Sequence, residues 1–323
     1  MYAQLLTGIG AGLASALLFA VVISGSPAAM LLSYLTPLPI FIVTIGWRHA
    51  AGLAAAFAGA IACGLVFGFG SGFNLKAGLA YGLGLALPAW WIGYLVMLGR
   101  TDAAGRAEWY PLGKVLLWLA GIATLVALLG AIAVGGSYAA YEQAMRGAFG
   151  ALFDASQGSP TLPEGVTRDD LINTLIAAAP LLTAGSFVPM LTLNLWLAGR
   201  IVAASGRLAR PWPAVAETRM PFWSVGALAV AVLLATLAPG FPGFTGLALT
   251  GALGAAFALQ CLAALHTALR GKAARPFILA LLYALMIPFF VWILPVLSLG
   301  GVLDSLVRAF RKAGAAPPPA NDA

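Results

Sequence analysis

Residues 36–50 read TPLPIFIVTIGWRHA, and this stretch decides the class of fold. It closes a run, residues 31–47, that is almost wholly apolar. Seventeen residues is the lower limit of the ~17–25 that cross a bilayer's hydrocarbon core. Pro37 and Pro39 stand two apart near its start, and each removes a backbone N–H. Lipid offers the freed carbonyls nothing, so a neighbouring helix or a cavity must meet them. Trp47 and Arg48 mark the other end, where an indole and a cation suit the membrane–water boundary. The run is therefore a short span broken near one end. The break holds either a ligand or a neighbour.

The rest of the chain repeats this apolar character. Of its 323 residues 62% are hydrophobic and 8% charged, whereas soluble domains carry about 25% charged residues. So large an apolar surplus must face lipid. The net charge of +7 does not indicate nucleic acid. The basic residues sit in short connections between spans and form no basic face on a soluble module. Cys63 and Cys261 each lie inside an apolar run and read as small buried hydrophobes. His49 and His266 are far apart, and no Cys/His spacing suits a metal. No metal and no cofactor are expected.

Hydropathy places about nine spans, at 4–24, 31–47, 50–70, 75–97, 114–133, 171–198, 221–237, 244–268 and 276–297. The first lacks a preceding Lys or Arg and is too long for a signal-peptide core, so it reads as a retained span. The expected fold is all-α, a polytopic transmembrane helical bundle in one integral domain over 1–312. Four connections hold 11 of the 17 basic residues: Arg48; Arg100, Arg106 and Lys114; four arginines between 200 and 219; and Arg270, Lys272 and Arg275. They alternate along the proposed topology, and the positive-inside rule then puts the N-terminus in the cytoplasm. Nine spans leave the tail on the opposite face, although Arg308, Arg311 and Lys312 favour the basic one. The conflict resolves if PFFVWILPVLSLGG doubles back.

Two segments stand outside the spans. Between spans five and six, an outer segment (134–170) carries Tyr138, Tyr141, Met145, Phe149 and Leu152 at spacings of three and four, which predicts a helix with one apolar stripe. DASQGSPTLPEGV then reads as loop, and Thr167 with Asp170 makes a capping box for the next helix. At the C-terminus, residues 301–312 place Val302, Leu303, Leu306, Val307 and Phe310 on one face and Ser305, Arg308 and Lys312 on the other. This predicts an interfacial amphipathic helix hinged at Gly300-Gly301, followed by a disordered tail at 313–323.

Chemistry is sparse. No acidic residue or histidine falls mid-span, and no nucleophile–base set is recognisable, which argues against a proton pump or a hydrolase. Asn194 and Gln260 are uncharged amides inside spans, suited to interhelical hydrogen bonds or to a ligand. Trp90 and Trp91 follow Pro88 and serve as interfacial anchors or as a cavity wall. The candidate binding residues are Pro37, Pro39, Trp90, Trp91 and Asn194. Small residues four apart in spans one and three (Gly8 and Gly12; Gly52, Ala56 and Ala60) permit close helix approach, within the chain or to another membrane protein.

The order of GIGAGLASALLF, YLTPLPIFIVTIGWRHA, LPAWWIGY with EWYPLGK, LNLWLAGRI, RMPFW and GGVLDSLVRAFRK resembles the YybS-like family of bacterial multi-pass membrane proteins. The N-terminal half is more remotely similar to the S components of energy-coupling-factor transporters. Those bind small molecules within the membrane and dock on a partner through small-residue helix faces. The resemblance implies the bacterial inner membrane and a non-enzymatic small-solute-binding or transport-related component. A membrane scaffold or assembly partner in envelope biogenesis is the alternative, and a lipid-handling enzyme the third.

Overall fold

The structure is a computed structural model that describes residues 2–155 and 165–313. Glycine sets its closest helix contact. A side chain on Gly8 would collide with the Ala51 carbonyl, and one on Gly12 with the Ala55 carbonyl. Helix α1 (Tyr2–Ala20) therefore lies backbone to backbone along α4 (His49–Val66). The small-residue faces of these two spans are turned on each other. Both residue pairs rise together in number, so the two helices run parallel and start at the same end.

Between them the chain returns as α2 (Pro27–Ser33), a turn, and α3 (Leu38–Gly46). The next span is also interrupted. After α5 (Leu75–Tyr81), residues Gly82–Ala86 form a π-helical turn before α6 (Leu87–Val96). Pro88 lacks the N–H that would bond the Gly84 carbonyl, and wider π turns commonly absorb such a defect. A two-stranded antiparallel hairpin, β1 (Gly99–Thr101) with β2 (Ala107–Trp109), follows in register Arg100 to Glu108.

Helix α7 (Leu112–Gly135) leads to α8 (Tyr138–Ala155), the expected outer helix. Its stripe is seated on the bundle: Tyr138 and Tyr141 meet Phe241 and Phe244 edge to face. Residues 156–164, most of the anticipated loop, lie outside the described residues. Helix α9 (Arg168–Ala204) begins with the anticipated capping box of Thr167 and Asp170. It packs along α11 (Gly240–Ala268), whose buried face is mostly alanine and glycine.

Eight helical segments among the described residues are long and apolar enough to cross a membrane, where hydropathy suggested about nine. The expected span 221–237 is a helix of 15 residues, α10 (Trp223–Leu237). The expected span 276–297 is two helices, α12 (Arg275–Met286) and α13 (Phe290–Ala313), with the chain doubling back at 287–289. Pro288 removes a donor at the turn, while Ile287 before it keeps helical geometry.

The tail is helical and amphipathic, but Gly300-Gly301 is no hinge and the helix does not float at the interface. α13 runs through both glycines, because a side chain at either would strike Cys261 or Phe257 of α11. Residues from 314 on, the anticipated disordered tail, lie outside the described residues.

The fold-back gathers the basic connections at one end of the bundle. Arg207 stacks over Trp47, 4.6 Å from the ring centre. Arg210 donates from Nη1 to the Val96 and Tyr110 carbonyls, at 2.8 and 3.3 Å. Its burial lowers the guanidinium below its ordinary pKa, and three-centred backbone contact holds it in place. Thr267 donates to the Ala216 carbonyl, and Arg219 pairs with Asp304 at 3.5 Å. The last contact brings the C-terminal helix to the same end as the 205–222 loop.

Candidate functional site

At the break at Pro37 and Pro39 the chain itself supplies donors to the freed carbonyls, while Asn194 Oδ1 stays buried without a hydrogen-bond partner. The Ser33 carbonyl, which loses Pro37 as a donor, accepts from both the backbone and the hydroxyl of Thr36. The Leu35 carbonyl, which loses Pro39, accepts from Leu38 N. The Tyr34 carbonyl accepts from Asn194 Nδ2 of α9 at 2.8 Å. The Thr36 carbonyl accepts from Ser15 Oγ of α1, and Ser15 in turn accepts from the Tyr81 hydroxyl of α5 at 2.6 Å. Three helices thus converge on one turn. Ser15, Thr36, Tyr81 and Asn194 are all essentially inaccessible.

The five candidate residues fall in two places. Pro37, Pro39 and Asn194 share the break. Trp90 and Trp91 lie toward the other end of α3, in an aromatic cluster. There Trp90 Nε1 donates to the His49 carbonyl at 2.8 Å, and Trp91 meets Trp118 edge to face. Gln260 is likewise engaged. Its Oε1 accepts from Met220 N, while its Nε2 reaches the Gly301 carbonyl, Asp304 and Ser305. Hydropathy gave no hint of this junction, because it records that Gln260 and Asp304 are polar and not what they touch.

Open space lies elsewhere. Under the 205–222 loop, two adjoining cavities share Leu116, Thr192 and Trp196 and are lined largely by apolar side chains. A third cavity, of about 570 Å³, lies where α9, α11 and α13 meet. It differs from the first two in chemistry. Thr183, Ser186, Thr250 and Ser298 line it, and no charged residue does. Thr250 Oγ1 is buried without a hydrogen-bond partner. This is unlike Thr44, Thr124, Thr192, Thr245 and Thr267, each of which donates to the carbonyl four residues back.

Proline again marks the place. Pro189 withdraws the donor due to the Gly185 carbonyl, and Gly185 is in the cavity wall. Pro295 of α13 is in the wall too and withdraws the donor due to Val291. Thr250 lies ten residues into α11, ~15 Å along the helix from Gly240, so the cavity lies part-way along the bundle, open at its side where Thr183, Ser186 and Phe290 are exposed. It supplies hydroxyls and interrupted backbone at membrane depth. It supplies no acid–base pair, and the described residues hold no group of three metal-ligating side chains.

A family model described as predicted membrane protein (DUF2232) matches residues 13–305. The chain belongs to that family. The match takes in every residue named around the proline break and around the hydroxyl-lined cavity of this DUF2232 chain. No curated protein matches it, and no solved structure does.

Proposed function

We propose that this protein is a non-enzymatic membrane component that binds a small uncharged solute, in the cavity between α9, α11 and α13. The unpartnered Thr250 hydroxyl carries the reading. A buried hydroxyl without a partner costs about 1–3 kcal/mol, and a ligand oxygen or N–H in the cavity would offset that. Transporters commonly bind substrates where backbone groups are freed within the membrane, and here Pro189 and Pro295 each leave one carbonyl without its donor near the cavity, although α9 and α13 run on as unbroken helices. The absence of charge from its wall selects a neutral molecule with hydrogen-bonding groups on an apolar frame. The basic end would face the cytoplasm of a bacterial inner membrane.

The experiment compares wild type with Thr250→Val in detergent. Val removes a hydroxyl that bonds nothing in the chain, so thermal stability without ligand is expected to stay equal or rise. Wild-type protein is expected to retain a co-purified neutral molecule in native mass spectrometry, and to shift its melting temperature with members of a broad panel of neutral metabolites. Thr250→Val is expected to lose both. A wild type with no bound molecule and no shift rejects the reading.

A second reading, a scaffold or assembly partner in the envelope, is favoured by the Pro37–Pro39 break, whose carbonyls are met by neighbouring helices. Crosslinking in membranes followed by purification separates the two, since a scaffold must bring a partner with it.

A further inference from the structure

On the lipid-facing side of the bundle, α7 carries a row that no part of the proposed solute site uses. Lys114, Trp118, Gly121 and Leu125 follow one another at spacings of three and four, so they share one helix face. This face and the start of α10, at Pro221 and Trp223, enclose a groove of about 490 Å³. Gly121 is its floor: nothing in the chain lies within 4 Å of where a side chain there would begin. At the basic end the groove continues into a second recess beside the hairpin, of about 450 Å³. The two share Tyr110 and Lys114, and the recess adds Arg100 and Glu108.

The charges in the recess do not cancel. Arg100 and Glu108 pair at 2.7 Å and neutralise one another. Lys114 has no carboxylate partner among the described residues and leans over the Tyr110 ring at 6.0 Å. The Tyr110 hydroxyl accepts from Trp118 Nε1 at 3.1 Å, which leaves its own proton free to be donated. The recess therefore ends in one uncompensated cation and one phenol at the boundary, above an apolar slot running into the membrane. Trp223 and Trp118 are exposed on the slot's walls.

We infer that this composite groove is a binding site for one anionic glycerophospholipid. The phosphate sits between the Lys114 ammonium and the Tyr110 hydroxyl, and one acyl chain lies over Gly121 between Trp118 and Trp223. A cation near a membrane surface favours anionic lipid electrostatically, and the apolar slot adds area that a soluble anion cannot use. This site shares no residue with the hydroxyl-lined cavity, so either assignment stands or falls alone.

The test is native mass spectrometry of delipidated protein titrated with dioleoyl phosphatidylglycerol, dioleoyl phosphatidylcholine or soluble glycerol phosphate. The first phosphatidylglycerol is expected to bind about fivefold tighter than phosphatidylcholine, the effect of one near-surface cation. Lys114→Gln should erase that preference, and Gly121→Leu should weaken both lipids alike. Gly121→Leu meets open space and Lys114→Gln removes only the 6.0 Å contact with the Tyr110 ring, so melting temperatures are expected to stay unchanged. Wild-type lipid preference in Lys114→Gln, or wild-type affinity in Gly121→Leu, overturns the site. Glycerol phosphate binding as tightly as the lipid, and equally to Gly121→Leu, would mean an anion site without the acyl slot and also overturns it.

Discussion

Asn194 shows how one amide can hold a broken helix together. Its Nδ2 donates to Tyr34 of the break and to Met190 on its own helix. Replacing it with Leu keeps the volume but strands the Tyr34 carbonyl in a dry interior. The expected cost is about 1–3 kcal/mol, read as a lowered melting temperature in detergent. An unchanged melting temperature would show that the break does not depend on this bond. Asn194 leaves only its Oδ1 without a partner, whereas the single polar atom of the Thr250 side chain finds nothing in the fold. Both residues were visible in the sequence as polar groups inside apolar runs. Only their neighbours distinguish them, since hydropathy records that a residue is polar and not what it touches. Asn194 was singled out and Thr250 was not, because a threonine in a helix ordinarily satisfies itself by bonding back along its own turn. The irregularity at Thr250 has no sequence signature.

Among the elements, α1 and α4 depend on glycine for contact, and α7 uses it for space. Gly12 lies against the Ala55 carbonyl and the Gly59 amide, both backbone atoms that cannot swing aside. Gly12→Val is therefore expected to separate the two helices and sharply reduce the yield of folded, monodisperse protein. Size-exclusion chromatography would check it, with Gly10→Val as the control, because Gly10 has nothing within 4 Å. Equal behaviour of the two variants would refute a structural role for the contact. The same distinction decides α13. Gly300-Gly301 looks like a hinge in sequence, since glycine frees the backbone. Packed against α11, the pair instead lets two helices approach. The outer helix α8 was fully legible, because its stripe and the following capping box are local patterns that need no partner to be read.

For the whole molecule the consequence is a shared end. α1 starts beside the N-terminus of α4, and α13 finishes beside the 205–222 loop through Arg219 and Asp304. The start of α1 and the end of α13 therefore lie at the end that carries the hairpin and the basic connections. Epitope tags at the two termini should show the same protease accessibility in oriented membrane vesicles. Opposite accessibility would rule out the fold-back of α12 and α13. The fold-back also removes the conflict over the tail, as Arg308 and Arg311 join the other basic residues instead of opposing them.

Composition and period by themselves determined that this chain is a helical membrane protein, where most spans lie, and which end is basic. These follow from the cost of apolar surface in water and of charge in lipid, which each segment meets on its own. Tertiary structure alone decided what fills each proline break. The turn at Pro37 and Pro39 is met by Ser15 and Asn194, while the walls containing Gly185 and Pro295 stay open around Thr250. A proline announces that a carbonyl will need a partner. Whether that partner is a neighbouring helix or a place for a ligand depends on what packing brings within about 3 Å, and residues 160 positions apart in the chain settle it.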